Sequence, residues 1–297
     1  MTEASRKRAA WGREVWKSYL FVLPFLSIFT AFIVYPLLSE VYYSFTRYEI
    51  GLPPRFVGLK NFLGLLNDSD YRQSVINTLI YVGIGVNVKL ALSLLIAIFL
   101  NRDFRGRSLV QALFLLPWAA ATISSLLSFR WMLDTDFGVL NALLPMVGFK
   151  KIQWLGQYST AMGIILVYHI WKYLPFWTLI LLSGLKGIPP DVYEAGKVDG
   201  ATAFQLLRWI TLPMIKGLYI VCTLISIIWT MGDFITVYML TGGGPGQSTN
   251  VLATIAYRFA FRFGEFDNAS ASFVFVFPVM MALIVFVIKK LEGSTYD

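Results

Sequence analysis

The 297-residue chain contains one cysteine, one histidine and few charges. Cys222 stands alone inside an apolar run, so no internal disulfide can form and no redox compartment can be read from it. With His169 as the only histidine and no C-x-x-C pair, a zinc site built by the protein is excluded. The same scarcity removes any Ser/His/Asp or Cys/His set for nucleophilic catalysis. Charged residues make up 14% of the chain, against about 25% in an ordinary soluble domain. Internal repeats, low-complexity stretches and a separate soluble domain are also missing. The net charge of +8 does not point to nucleic acid, because the basic residues gather at the ends of apolar runs.

What the chain has is length of apolar sequence. A membrane-spanning helix needs about 17–25 mostly apolar residues. Six such segments are expected, over 19–39, 75–100, 110–129, 161–185, 218–240 and 271–288. Each reads as a helix, because backbone polar groups in lipid must be satisfied within the segment. The fold class is therefore all-α, a polytopic membrane protein with six transmembrane helices. A basic tail covers 1–18, a single membrane domain 19–288 and a short second tail 289–297.

Lys and Arg set the orientation. Five lie in the N-terminal tail, three at Arg102, Arg105 and Arg107, four between Lys186 and Lys216, and two at Lys289 and Lys290. Those fourteen face nine spread over the longer loops of the other side. Both termini and the 186–216 loop are thus expected in the cytoplasm. The first apolar run is too long for a signal peptide and no small-residue cleavage site follows it, so it reads as a retained anchor.

The 186–216 loop is the most distinctive feature. Pro189-Pro190 stops one helix and presets the next, with Asp191 suited to the positive end of the new helix dipole. Gly200 can supply the left-handed residue that closes that short helix. A second helix is expected from about Thr202, broken at Pro213. The result is a helix–Gly–helix elbow offering Tyr193, Phe204 and Trp209 to a groove in a partner, and Glu194 and Asp199 to its basic rim. An ordinary re-entry loop resting on lipid head groups is the alternative.

The pattern Glu194-Ala195-Gly196, Asp199-Gly200-Ala201 and Ile210-Thr211-Leu212-Pro213 resembles the coupling-loop signature of ABC importer permeases, E-A-A, D-G and I-x-L-P. Gly196 departs from it, standing where the family has Ala. The resemblance extends over almost the whole chain. Tyr43-Ser44-Phe45-Thr46, Phe56 to Phe62, Asn77-Thr78, Gly138-Val139-Leu140-Asn141 and Leu240 to Thr249 are similar to the outer-loop pattern of carbohydrate-type permeases, of the maltose-permease F or glycerol-phosphate-permease A kind. It implies the type I importer fold, with the elbow docking into a nucleotide-binding subunit through Tyr193, Glu194, Ala195, Gly196, Asp199, Gly200, Ala201, Leu212 and Pro213. It further implies a second homologous permease, two copies of a cytoplasmic ATPase that bind ATP and Mg in place of any cofactor in this chain, and an extracytoplasmic substrate-binding protein. The place would be a prokaryotic plasma membrane, the inner one in a Gram-negative cell.

Ionisable groups inside spans are costly and face a cavity or a partner. His169, Lys172, Tyr173 and Phe176 recur at helical spacing on one face. Ser226, Thr230 and Asp233 do the same, beside Trp229. These two polar-aromatic stripes flank the charged loop and suit a sugar path, since hydroxyls want paired donors and acceptors and a pyranose face stacks on rings. The resemblance points to the same two helices. Against this, Lys172 and Asp233 can simply neutralise each other, His169 can bond a neighbouring helix, and Ser226 and Thr230 can bond their own i−4 carbonyls. Lys89 reads as a residue that snorkels or pairs. The Thr122, Ser124, Ser125 and Ser128 group suits either a cavity lining or close helix packing.

Gly242 to Thr249 is glycine-rich but is no phosphate loop, because it has no Lys before the Ser and its spacing is wrong. It reads as an outer loop that contacts a binding protein or caps the path. ATP hydrolysis is expected from a separate subunit, and this chain is read as a transport component and not an enzyme. An ion-coupled secondary carrier using Lys172 and Asp233 remains a competing expectation, as, further off, does a membrane-embedded sensor or enzyme.

Overall fold

Local chemistry sets the helix boundaries in the computed structural model, which describes residue 16 and residues 19–48 and 51–292. The first helix, α1 (Tyr19–Ser44), packs mainly through its second half on a helix late in the chain. A two-residue hairpin pairing Thr46 with Phe56 and Arg47 with Arg55 leads to α2 (Lys60–Asn67). Asp68 then caps α3 (Ser69–Leu100), its carboxylate accepting the Tyr71 N–H at 2.8 Å. The N-terminal tail lies outside the described residues apart from Trp16, as do residues 293–297.

The expected third span is not one straight helix. It comprises α4 (Arg107–Ala119) and α5 (Thr122–Met132), bent by 86° at Ala120-Ala121. Both of those residues are extended, with ψ of 143° and 124°. A short helix, α6 (Val139–Leu143), precedes α7 (Tyr158–Lys186). The elbow follows as α8 (Pro190–Val198) and the start of α9 (Ala203–Met231).

Pro213 does not break the second elbow helix, contrary to expectation. A π turn over Leu207–Thr211 absorbs the proline, and the helix runs on to Met231. The expected fifth span is also cut short. It stops at Met231, Gly232 turns the chain, and Asp233 caps a new helix, α10 (Phe234–Thr241). After α11 (Leu252–Arg258), the last apolar segment is α12 (Phe266–Val274) and α13 (Phe277–Glu292), joined by a tight turn at 275–276 in which Phe275 keeps helical angles. Among the described residues four helices are long and apolar enough to cross a membrane, or five with the bent pair counted as one.

Helix α3 lies along α7, and α9 packs against both. Their shared core holds Val86, Leu90, Leu94 and Ala97 of α3, Trp177, Leu181 and Leu185 of α7, and Ile215 and Cys222 of α9. A second cluster at the other end joins Phe62 and Tyr71 to Ile255 and Phe259. In lipid the exposed Leu and Phe side chains cost little, since acyl tails are as apolar as they are. Close packing and polar contacts therefore decide how the helices sit, and α1, whose apolar window has no buried residue, supplies almost none.

Candidate functional site

Between α3, α7 and the α9–α10 junction the buried polar groups meet. His169 is 2% exposed. Its Nδ1 lies 2.8 Å from the Tyr81 hydroxyl and 3.1 Å from Asp233 Oδ2. Its Nε2 lies 2.8 Å from Lys89 Nζ and 3.2 Å from Thr230 Oγ1. A lysine nitrogen here acts as a donor, so the network assigns Nε2 as acceptor and puts the imidazole hydrogen on Nδ1, pointing at the carboxylate. Asp233 Oδ2 also accepts the Tyr81 O–H at 2.7 Å, and Oδ1 accepts the Thr236 N–H at 3.1 Å. The carboxylate thus has three donors and sits at the positive end of α10.

A cavity of 570 Å³ opens beside this chain of bonds, lined by Lys89, Thr122, His169, Tyr173, Trp177, Trp229, Gly232, Asp233, Phe234 and Ile235. That is within the size range of small-molecule sites. Of the residues expected on a path, His169, Tyr173, Trp229 and Asp233 line it together. Thr230 stands beside His169, but its hydroxyl donates to the Ser226 carbonyl at 2.7 Å, as the plain helical reading anticipates. Phe176 stands one layer back, 5.4 Å from both Trp118 and Trp229 between ring centres. Ser226 is buried, and its Oγ has no hydrogen-bond partner among the described residues.

Lys172 is elsewhere. Its ammonium donates to the carbonyls of Pro117 at 3.0 Å, Trp118 at 3.3 Å and Ala120. It therefore caps the C-terminal end of α4 at the bend, where a cation meets orphan carbonyls and the negative helix pole. It forms no ion pair with Asp233, whose partner is His169. The Lys172–Asp233 pair on which the secondary-carrier reading rests is thereby removed. Tyr81, Lys89, Trp177 and Phe234 are the cavity-side residues that sequence reasoning left out or set aside. A signal for two of them existed: Tyr173 and Trp177 continue from His169 at intervals of four, and Lys89 follows Tyr81 at eight, each a single helical face.

The elbow is sharply defined. Gly200 has φ +80°, the Ala201 N–H bonds the Gly196 carbonyl at 2.9 Å and the Gly200 N–H bonds the Lys197 carbonyl at 3.0 Å. This is the Schellman closure that a left-handed glycine permits. Thr202 and Gln205 then cap α9 reciprocally. Gly196 lies where the two elbow helices touch: a Cβ there would meet Leu206 Cδ2 at 2.8 Å and Ile210 Cδ1 at 3.0 Å. Phe204 and Trp209 are 72% and 73% exposed, with Val198 at 88%. Tyr193 is not free in that way. It is half-buried against the core, its hydroxyl 3.0 Å from Thr211 Oγ1. Ala195 and Asp199 are exposed with Glu194, whereas Ala201 and Leu212 are half-buried and Pro213 is exposed. The Arg102–Arg107 loop shares this end, since Arg102, Arg107, Lys186, Glu194 and Lys197 line one groove of 820 Å³.

At the opposite end asparagines clasp the loops. Asn61 donates to the Ser44 and Thr46 carbonyls, Asn77 to those of Ser248 and Asn250, and Asn141 to that of Ile152, all within 2.6–2.9 Å. The glycine-rich stretch is thereby tied to α3 through Asn77.

Residues 62–291 match the family described as binding-protein-dependent transport system inner membrane component. The chain belongs to that family. It is 33% identical over 278 residues to the trehalose/maltose transport system permease protein MalF of Thermococcus litoralis, covering 93% of this chain and 94% of that one. It is 32% identical over 266 residues to the sulfoquinovosyl glycerol transport system permease protein SmoG of Agrobacterium fabrum, covering 89% of this chain and 86% of the other. A chain of the bacterial alginate ABC transporter, solved with alginate pentasaccharide-bound periplasmic protein, superposes with a TM-score of 0.82, covering 93% of each chain at 24% identity. That likeness is one of fold. The protein is thus a multi-pass permease component of a binding-protein-dependent transporter.

Proposed function

We propose that this permease forms half of an import path for a carbohydrate or polyol phosphate, crossing a prokaryotic inner membrane six times with both termini and the elbow inside. A second, homologous permease completes the path. Two copies of a cytoplasmic ATPase hold ATP and Mg and grip the elbow, and an extracytoplasmic protein delivers the substrate. The names of its relatives support a sugar cargo. The cavity supports it too, since Tyr173, Trp177 and Trp229 offer ring faces beside hydrogen-bonding groups.

One observation carries the mechanism: α9 is continuous from Ala203 to Met231. Phe204 on the elbow and Trp229 at the cavity belong to the same helix, about 40 Å apart at 1.5 Å per residue. Helix α7 ends at the other arm of the elbow and carries His169 and Tyr173. A push on the elbow therefore moves both walls of the cavity as levers. ATP-driven closure of the ATPases opens the path outward, and hydrolysis returns it.

The test is uptake by the reconstituted importer carrying Glu194→Ala or Gly200→Val. Both variants insert and assemble with the second permease, and both lose uptake. Normal transport by the two variants overturns the coupling role.

A further inference from the structure

Three features of the cavity concern charge. Lys89 is 2% exposed yet lines the open volume. Among the described residues its ammonium makes one hydrogen bond, to the neutral acceptor Nε2 of His169, and no ion pair with a carboxylate. Asp233 is reached only through the imidazole, and its own oxygens are already filled by Tyr81, His169 and the Thr236 N–H. The acid of this site is satisfied by the protein. The cation is not: an ammonium has three donors, and two here have no acceptor among the described residues. The rings of Tyr173 and Trp177, with centres at 5.7 and 5.9 Å from Nζ, ease the burial. They supply no counter-charge, and a buried charge is costly unless paired.

We propose that a counter-charge in direct contact with the ammonium arrives with the substrate, and that Lys89 selects a carbohydrate bearing a carboxylate, sulfonate or phosphate. This deepens the import reading and rests on it. The anion docks on the two free N–H groups of Lys89, while the sugar ring lies against Tyr173, Trp177 or Trp229. Thr122, at the start of α5, lines the same cavity. Lysine suits this task as a compact point charge that accepts several anion geometries.

The experiment titrates the complete permease–ATPase complex in nanodiscs, without the binding protein, using maltose and digalacturonate as a neutral and an anionic disaccharide. Digalacturonate binds at least about tenfold more tightly, a gap of about 1.4 kcal/mol. Lys89→Gln removes the gap, while Lys89→Arg keeps the preference. The wild-type comparison decides alone if Lys89→Gln fails to assemble. Equal binding of the two sugars, no binding of either, or a preference that survives Lys89→Gln overturns the proposal. So does a carboxylate of the second permease paired with Lys89 in the assembled complex. When elbow variants abolish uptake but maltose binds as well as digalacturonate, only the anion proposal fails. When elbow variants transport normally, the import mechanism fails instead.

Discussion

Asp233 and Glu194 are both carboxylates beside short helices, and they are treated in opposite ways. Asp233 is buried where α9 gives way to α10, and it takes hydrogen bonds from Tyr81, His169 and the Thr236 backbone. Glu194 is exposed on the elbow and makes no ion pair among the described residues. The same contrast holds for the aromatics. Trp177 is 1% exposed in the core, and Trp209 is 73% exposed on the elbow. The interior acid is completed by its own chain, so its loss is felt as instability. The elbow is folded by its glycine closure, its capping box and the Tyr193–Thr211 contact, and leaves Glu194, Phe204 and Trp209 exposed, so their loss is felt only by a partner.

The comparison breaks most clearly at Asp233. Asp233→Ala leaves Tyr81, His169 and the first turn of α10 without an acceptor, and it strips Lys89 of the carboxylate beyond the imidazole. Removing one member of a buried charged network costs about 3–5 kcal/mol. The expected outcome is a marked drop in the melting temperature of the purified complex, together with lost uptake. A variant as stable as the parent would mean that the cluster holds nothing together.

Lys172 gives the next largest effect. Lys172→Met frees three carbonyls at the bend between α4 and α5. Polar contacts between helices in membranes are worth about 1–2 kcal/mol at most, and the loss is expected in that range. Its readout is thermal stability, with digalacturonate and maltose affinities unchanged because Lys172 is outside the cavity. A selective loss of substrate affinity would return Lys172 to the path.

Much of this division was legible in the sequence, and the reason for the rest is geometric. Apolar length marked the helices long enough to cross a membrane, four among the described residues or five with the bent pair, and Pro190, Gly200 and Asp191 marked the elbow, because those are local signals. Lys172 was misplaced because helical spacing puts it near His169 without saying that a neighbouring span would break at Ala120 and offer its carbonyls. Asp233 was read as mid-span because Gly232 and the apolar residues after it continue the hydropathy. Only the capping bond to Thr236 reveals a new helix. Pro213 was read as a stop, since a π turn has no sequence signature of its own. Lys89 was set aside because its partner lies 80 residues away, a distance that single-sequence reasoning does not cross.

Gly196→Ala probes the elbow's own fold. The new Cβ meets the ends of Leu206 and Ile210, which are flexible side chains. Against that crowding, Ala is favoured over Gly inside a helix by about 1 kcal/mol. The two effects nearly cancel, and the melting temperature and coupled ATPase rate are expected to stay close to the parent's. A large loss of coupling would mean that the contact between the elbow helices is tuned to the width of a glycine.

Trp209→Ala sharpens the contrast furthest, because its expected effect on the fold is the smallest. The indole is mostly solvent-facing and touches the Arg208 guanidinium at 5.7 Å. Surface substitutions of this kind change stability by about 0.5 kcal/mol or less. If the elbow fills a groove in the ATPase, the same residue is an aromatic anchor there, and such anchors cost about 2 kcal/mol or more when truncated. The variant is therefore expected to melt with the parent and to shed its ATPase subunits on dilution, measured by size-exclusion chromatography. Retention of the ATPase at parental affinity would move the anchor to Phe204 or Val198, and instability of the permease itself would erase the difference between the two regions.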